Sequence, residues 1–221
     1  MRLISFQPIA QVGPTEEGLG GSVSVDDLWR RIGEGLDDGA RGYALLRRGE
    51  HWLGHPSCNR FVPGIVASRA DEVPRFHPVR LEGDAVDTRV VDGFLQRFGG
   101  VSFRLDSPSE VGARLLALGV RVPGFVLRNA FSYARHWLRR LDPKRPARAA
   151  ADLVRGRLRL DIVVIVSHHF MSRAELESPV GAERLAHCVF HVPIGDRLVS
   201  MCEVNALGAR ERYYAEVGAG D

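Results

Sequence analysis

The sequence predicts an α/β fold in which a buried strand is preceded by amphipathic helices and followed by a β-hairpin. Residues 161–167 read DIVVIVS, a short apolar run typical of a strand buried on both faces. Residues 126–141 place apolar side chains at helical spacing. The runs CVFHVPI and RLVSMC are separated by Gly195-Asp196, a pair that favours a two-residue hairpin turn. That register brings the thiols of Cys188 and Cys202 back towards each other.

The length and composition are those of a globular protein with a sizeable core. The chain has 221 residues, of which 45% are hydrophobic and 26% are charged, and its formal net charge is +3. The first residues lack the features of a secretory signal, and no stretch approaches the roughly 20 apolar residues that span a bilayer. We therefore expect a cytoplasmic location. Three cysteines are few for a chain of this length, and their number is odd. Both facts argue against a disulfide framework and favour reduced thiols.

The N-terminal part predicts one strand, one helix and one irregular loop. Residues 2–10 read as a strand that ends near Pro8 and a glycine-rich stretch. Ser24, with Asp27 three residues later, resembles a capping box, and apolar residues follow at helical spacing up to Gly39. Residues 49–64 are interrupted by glycine and proline, which favours a loop. This loop carries side chains suited to a site, namely His51, Trp52, His55 and Cys58.

The middle of the chain predicts mainly helices. A short strand and a helix around 86–98 are expected within residues 65–100. Ser107, Pro108 and Glu110 form a strong helix start, with Gly119 suited to its end. The helix at 126–141 ends before prolines, and residues 147–155 resume helix ahead of the buried strand.

The segment from Arg128 to Arg159 is strongly basic. It holds ten Lys and Arg residues against Asp142 and Asp152, a local net charge of +8. One interpretation is a surface helix that packs by its apolar stripe while arginine side chains extend over the stripe. The other is peripheral membrane contact through residues 126–159, where basic side chains attract anionic headgroups and aromatic side chains suit the interface. No nucleic-acid partner is predicted.

The cysteines and histidines are the candidate ligands for a metal. Cys58, Cys188 and Cys202 each adjoin polar or turn-forming residues, and the buried strand ends at His168 and His169. Three thiolates can hold a four-iron cluster with one iron open, or zinc together with a histidine. The alternative is three unrelated core cysteines, since free cysteine is often buried. The sequence contains no C-x-x-C pair and no Walker, dinucleotide-binding, zinc-protease or nucleophile-elbow motif.

Several short motifs, in their shared order, resemble the C-terminal half of certain radical S-adenosylmethionine proteins. The closest likeness is to the branch that contains archaeal tetraether lipid synthases. The matching motifs are Phe6-Gln7-Pro8, His55-Pro56-Ser57-Cys58, His169-Phe170-Met171, Glu183-Arg184-Leu185 leading to Cys188 and His191, and Asp196-Arg197 leading to Cys202-Glu203-Val204-Asn205.

The resemblance implies the later strands and helices of a partial parallel (β/α) barrel followed by an auxiliary iron–sulfur region. Residues 1–160 then form the barrel portion and residues 161–221 the auxiliary region with its cysteine-bearing hairpin. Cys58, Cys188 and Cys202 are the implied ligands of a [4Fe–4S] cluster. Further ligands, or residues close to the ligands, are His55, His169 and His191. With sulfur–metal bonds of about 2.3 Å, the three sulfurs should lie within roughly 7 Å of one another.

The sequence departs from that family in lacking the C-x-x-x-C-x-x-C loop that binds the cluster for S-adenosylmethionine. The resemblance therefore implies a C-terminal half, from a truncated gene model, a fragment or a split enzyme, that is inactive by itself. An upstream extension or a partner chain would supply the missing loop, and S-adenosylmethionine would bind only then, with a small molecule or lipid as substrate. No catalytic residue is assigned. The rival hypothesis is a non-catalytic module that binds zinc or a lipid surface.

Overall fold

The computed structural model describes residues 2–7, 23–36, 40–98 and 123–218, and it has the predicted α/β class. The strands are β1 (Arg2–Phe6), β2 (Asn59–Ser68), β3 (Arg75–Pro78), β4 (Arg159–His168), β5 (His191–Ile194) and β6 (Arg197–Ser200). The α-helices are α1 (Val25–Leu36), α2 (Ala40–Gly49), α3 (Ala85–Asp87), α4 (Gly93–Phe98), α5 (Pro123–Leu141), α6 (Pro146–Val154), α7 (Arg173–Leu176), α8 (Pro179–Ala186), α9 (Met201–Leu207) and α10 (Ala209–Gly218). Within these ranges, no helix combines the length and apolar character needed to cross a bilayer.

The strands form two sheets. A four-stranded sheet of mixed parallel and antiparallel pairing has the order β1-β4-β2-β3, and β2 pairs antiparallel with β3. The second sheet is the predicted hairpin, in which β5 pairs antiparallel with β6, with His191 opposite Ser200. Its turn contains Gly195 at φ +61°, a left-handed conformation that favours glycine. The described strands form no closed barrel.

The predicted N-terminal strand and first helix are confirmed within the described residues. β1 covers Arg2–Phe6, whereas residues 8–10 and Gly39 lie outside the described residues. The first helix begins after Ser24, whose Oγ accepts a hydrogen bond from the Asp27 backbone N at 3.1 Å. The cap inferred from the Ser24 and Asp27 spacing is therefore present.

The prediction that residues 49–64 form an irregular loop is wrong at both ends. Gly49 is the last residue of α2, a helix that the sequence analysis missed, and β2 begins at Asn59 and continues through Pro63. Within this strand, the carbonyl of Pro63 accepts a 2.8 Å hydrogen bond from Val79 N, just after β3. Cys58 consequently lies immediately before a strand.

The predicted helices of the middle region are confirmed where the structure describes them. The helix expected near 86–98 consists of α3, a π-helical turn (Thr88–Asp92) and α4. The helix expected over 107–119 lies outside the described residues. α5, α6 and β4 all occur close to their predicted bounds. The prediction that β4 is buried on both faces holds only for its second half, because Leu160 and Ile162 are 40% and 42% exposed. Local spacing and capping signals are therefore sufficient to locate these elements.

The chain divides into two compact units, each with its own packing. The first unit contains described residues 2–4, 44–49, 62–98 and 123–164. One of its apolar clusters consists of Ala67, Leu141, Ala149 and Leu158, with Trp137, Leu138 and Leu153 packed against them. The second unit contains described residues 5–7, 23–36, 40–43, 50–61 and 165–218. One of its clusters consists of Met171, Leu176, Cys202 and Ala206, with Phe170, Leu185 and Leu207 packed against them.

His77, on β3 in the first unit, has an environment that disfavours its charged form. Its ring lies 6.5 Å from the ring of Trp137, and its Nε2 is buried without a hydrogen-bond partner. Burial, and then the charges of Arg140 and Arg75, lower the pKa of His77 from 6.5 to about 4. The imidazole is therefore neutral in the folded protein at pH 7.

We expect acid to destabilise the first unit through His77. Below about pH 6.5 the unfolded chain binds a proton on this imidazole while the folded chain does not, which favours the unfolded state. The full contribution of the neutral imidazole to stability is therefore present above that pH. That contribution is lost as the pH falls towards about 4. Between pH 7 and pH 5 the free energy of unfolding should fall by roughly 1–2 kcal/mol because of this group. In urea unfolding, the free energy of unfolding of His77→Gln should depend less on pH than that of the wild type. The control His191→Gln, at an exposed position, should show the same pH dependence as the wild type. Equal pH dependence in wild type and His77→Gln would contradict the assignment.

Candidate metal centre

The three cysteines of the chain line one pocket in the second unit. The pocket encloses about 340 Å³, including space open to solvent. Its lining residues are Cys58, His168, His169, Phe170, Met171, Arg184, Cys188, Phe190, Met201 and Cys202. All three cysteines are free thiols. The structure thus gathers into one place residues that are far apart in the sequence.

Cys58 is held by backbone contacts on both sides and contacts a buried arginine. Its N donates to His55 O at 2.9 Å, and its O accepts from His169 N at 2.8 Å. Arg184, only 4% exposed, donates from Nε to Cys58 Sγ at 3.2 Å. A guanidinium next to a sulfur stabilises negative charge on that sulfur. This corner of the pocket therefore places a buried positive charge against the sulfur.

Arg184 is fixed by four groups, so its position at the sulfur is well defined. Besides Cys58, its guanidinium donates to His169 O at 2.9 Å and Ser57 O at 3.5 Å, and to Glu175 Oε1 at 3.3 Å. The residue lies on α8, a helix capped by the Ser178 side chain. In the sequence, Arg184 stands within the motif Glu183-Arg184-Leu185, where no feature marks it as a contact of a cysteine. No local signal distinguishes a buried arginine from an exposed one on so short a helix.

Cys202 is the most buried of the three thiols. It lies in the first turn of α9, where the Ser200 side chain and Glu203 form a capping box. Burial raises the pKa of the Cys202 thiol, and a weak 3.5 Å hydrogen bond from Met171 N opposes this effect. A metal bound here would have to displace the thiol proton.

Cys188 completes the lining from the segment between α8 and β5. Its Sγ donates to Phe190 O at 3.3 Å. The two strand-like runs of the sequence are each shorter than predicted, because β5 begins at His191 and β6 ends at Ser200. The capping box at Ser200 starts a helix and so ends the strand before Cys202. Neither thiol lies on a strand, yet both lie in the same pocket.

The predicted histidines occupy different places. His168 and His169 line the cysteine pocket, and burial lowers the pKa of both, with the charge of Arg184 adding to the effect at His169. His55 lies outside the lining, where its Nδ1 accepts from Ser57 N at 3.2 Å. His191 is exposed on β5 and also lies outside the lining. Of the three histidines proposed as further ligands, only His169 lines the pocket.

A second group of potential ligands, which the sequence analysis missed, lies in the first unit. The ligand atoms of Asp84, Asp87 and His136 lie within 4.8 Å of one another. The three cysteines do not form a group as close as this one among the described residues. His136 is distant in sequence from the two aspartates, so no local motif links them.

The basic helix α5 does not bury its whole apolar stripe. Leu127 and Phe131 are each 78% exposed, whereas Leu141 is 8% exposed. Asn129 is instead buried near the start of the helix, where its Nδ2 donates to Phe125 O at 2.9 Å. Packing by the apolar stripe therefore holds for the C-terminal part of α5 only. Membrane contact through residues 126–159 stays a prediction.

Comparison with known proteins leaves the chain without an assigned family. A scan against protein-family models finds no match, and a search of curated proteins finds no significant match. The resemblance to radical S-adenosylmethionine proteins therefore rests on the short motifs quoted above. The geometry of the cysteine pocket is independent of that resemblance.

Proposed function

We propose that Cys58, Cys188 and Cys202 bind an auxiliary [4Fe–4S] cluster. The observation that carries the proposal is that all three cysteines of the chain line the same pocket. Three thiols collected from separate segments can bind three irons of such a cluster, with the fourth iron left open. Unrelated core cysteines would have no reason to converge.

The pocket offers more than thiols. N–H groups of Met171 and Arg184 point to the sulfurs of Cys202 and Cys58 respectively. Hydrogen bonds to ligand sulfurs orient them and tune the reduction potential of iron–sulfur clusters. Phe170, Phe190 and Met201 add an apolar lining that limits access of water. The residues present therefore fit an iron–sulfur cluster, which supplies one-electron transfer when bound.

The three sulfurs are less closely grouped than a single bound zinc ion requires. Tetrahedral zinc with bonds of about 2.3 Å places its sulfur ligands about 3.8 Å apart. Among the residues that the structure describes, the three cysteines do not form a ligand group within 4.8 Å. A cluster in which each thiolate bonds a different iron accommodates larger separations.

The wider context of the proposal comes from the resemblance. The chain would be the C-terminal portion of a cytoplasmic radical S-adenosylmethionine enzyme, contributing later strands of a partial barrel and part of the substrate site. Because the sequence lacks C-x-x-x-C-x-x-C, the cluster that cleaves S-adenosylmethionine would come from another chain or segment. The substrate would be a small molecule or a lipid.

Anaerobic reconstitution with iron and sulfide tests the cluster. We expect the wild-type protein to be brown, with broad visible absorption and about four irons and four sulfides per chain. Cys58→Ser, Cys188→Ser and Cys202→Ser should each lose most of the bound iron. The matched control is Met201→Leu, which changes a residue of the same pocket while nearly conserving its volume. Its iron content should remain that of the wild type.

Two results would overturn the proposal. A colourless protein that retains stoichiometric zinc through the same cysteines would indicate the zinc-binding module. A protein that retains neither metal, or whose iron content is unchanged in all three serine variants, would indicate ordinary core cysteines. Metal analysis of the same samples separates these outcomes.

A further inference from the structure

Two carboxylates and an imidazole converge in the first unit, and none of the three residues lines the cysteine pocket. Asp84 precedes α3, Asp87 ends it, and His136 lies on α5. His136 Nε2 lies 3.3 Å from Asp87 Oδ1 and 3.5 Å from Asp84 Oδ2. All three ligand atoms lie within 4.8 Å of one another.

Two of these atoms are buried and have no hydrogen-bond partner. Asp87 is completely buried, and its Oδ1 lacks a hydrogen bond, as does His136 Nε2. Such atoms are rare inside folded proteins, because an unpaired polar group loses its water without compensation. They face each other closely, yet the geometry does not make a hydrogen bond between them. An atom placed between them would satisfy both.

One carboxylate oxygen of each aspartate already accepts hydrogen bonds, which fixes the orientation of the second oxygen. Asp84 Oδ1 accepts from Val86 N at 2.9 Å and from Asp87 N at 3.0 Å. Asp87 Oδ2 accepts from Leu81 N at 2.9 Å and from Arg140 Nη1 at 3.0 Å. The remaining oxygen of each carboxylate is therefore held towards His136. Partners that orient a ligating carboxylate in this way are typical of metal sites.

We propose that Asp84 Oδ2, Asp87 Oδ1 and His136 Nε2 bind a divalent transition-metal ion. Zinc fits best, because bonds of about 2.1 Å at tetrahedral angles place neighbouring ligand atoms about 3.4 Å apart. The distances of 3.3 and 3.5 Å match that spacing. Water would be the fourth ligand, reaching the ion from the side of Asp84, whose side chain is 25% exposed. The ion would join the segment around α3 to α5.

The charge of the site separates this proposal from a simple ion pair. Two carboxylates and Arg140 leave one negative charge when His136 is neutral, and a divalent ion brings the site to one positive charge. A protonated His136 would instead neutralise the cluster without any metal. The ion-pair alternative therefore predicts no saturable metal binding.

Titration of the full-length protein with Zn²⁺, followed by equilibrium dialysis and metal analysis, tests the proposal. Co²⁺ in place of Zn²⁺ adds a visible spectrum that distinguishes oxygen and nitrogen ligands from thiolates. We expect one ion with an oxygen–nitrogen spectrum, whether or not the cysteines hold a second ion with a thiolate spectrum. Asp84→Asn keeps the acceptor that caps α3 but removes the charge, and His136→Gln removes the imidazole. Each should weaken binding at this site at least about tenfold.

The matched control is Asp92→Asn, which removes a carboxylate paired with Arg80 in the same unit. Its affinity for Zn²⁺ and its Co²⁺ spectrum should equal those of the wild type. Circular dichroism of each variant verifies folding. Because Asp84 is partly exposed, Asp84→Asn should disturb the fold less than a substitution at the fully buried Asp87. The proposal is overturned if Co²⁺ gives only a thiolate spectrum, if no saturable binding occurs, or if folded Asp84→Asn and His136→Gln bind as the wild type does. The oxygen–nitrogen spectrum separates this site from any Co²⁺ that the cysteine thiols hold.

Discussion

Replacing Arg184 by methionine is expected to lower the free energy of unfolding by roughly 3 kcal/mol. The side chain is 4% exposed and donates to Cys58 Sγ, to two backbone carbonyls and to Glu175. Methionine fills a similar volume but leaves the carbonyls of the partly buried Ser57 and His169 without this donor. Glu175 is 42% exposed, so water compensates the lost ion pair and most of the effect comes from the two carbonyl acceptors. Urea unfolding of the metal-free chain under reducing conditions measures the change.

Arg184→Lys should recover only part of this loss, since a single ammonium cannot reproduce the forked guanidinium contacts. The control is Arg173→Met on α7, where the arginine is exposed and the change should stay within about 0.5 kcal/mol. If the proposed cluster is present, removing the positive charge of Arg184 should also lower its reduction potential. A loss below about 0.5 kcal/mol for Arg184→Met would show that the guanidinium contacts contribute little to folding.

Gly33→Ala and Gly35→Ala, two residues apart on α1, are expected to change stability in opposite directions. Gly33 is buried, and a Cβ there would lie 2.7 Å from Tyr43 Cα and still closer to Tyr43 N on α2. Backbone atoms cannot move aside as a flexible side chain does, so overpacking should cost about 1–3 kcal/mol. A Cβ at Gly35 would meet nothing within 4 Å. There alanine should stabilise the protein by up to about 1 kcal/mol through its higher helix propensity.

Gly35→Ala is the control for Gly33→Ala, because both substitutions add the same methyl group to the same helix. Denaturant midpoints, with the slope of the unfolding curve verified as unchanged, report the two effects separately. Equal stabilisation by both substitutions would mean that α1 and α2 do not approach closely at Gly33. Equal destabilisation would contradict the open surroundings of Gly35.

Local signals in the sequence were enough to predict most elements that the structure describes. The α1 cap at Ser24, the hairpin turn at Gly195-Asp196 and the apolar run of β4 each depend on residues within one turn or one strand. The same reasoning failed at residues 49–64, where glycine and proline suggested a loop. There the pairing of β2 with β3 outweighs local propensity and draws Pro63 into a strand.

The candidate sites show the same contrast between local sequence signals and long-range contacts. The sequence by itself determined the ligand types, three cysteines with nearby histidines, and the hairpin that returns Cys202 towards Cys188. Only the tertiary structure decided that Cys58 joins them, that Arg184 is buried against its sulfur, and that Asp84, Asp87 and His136 converge. It also decided that Leu127 and Phe131 of α5 are exposed while Asn129 is buried. Spacing and capping depend on neighbours in the chain, whereas convergence and burial depend on contacts between segments distant in sequence, which no local pattern encodes.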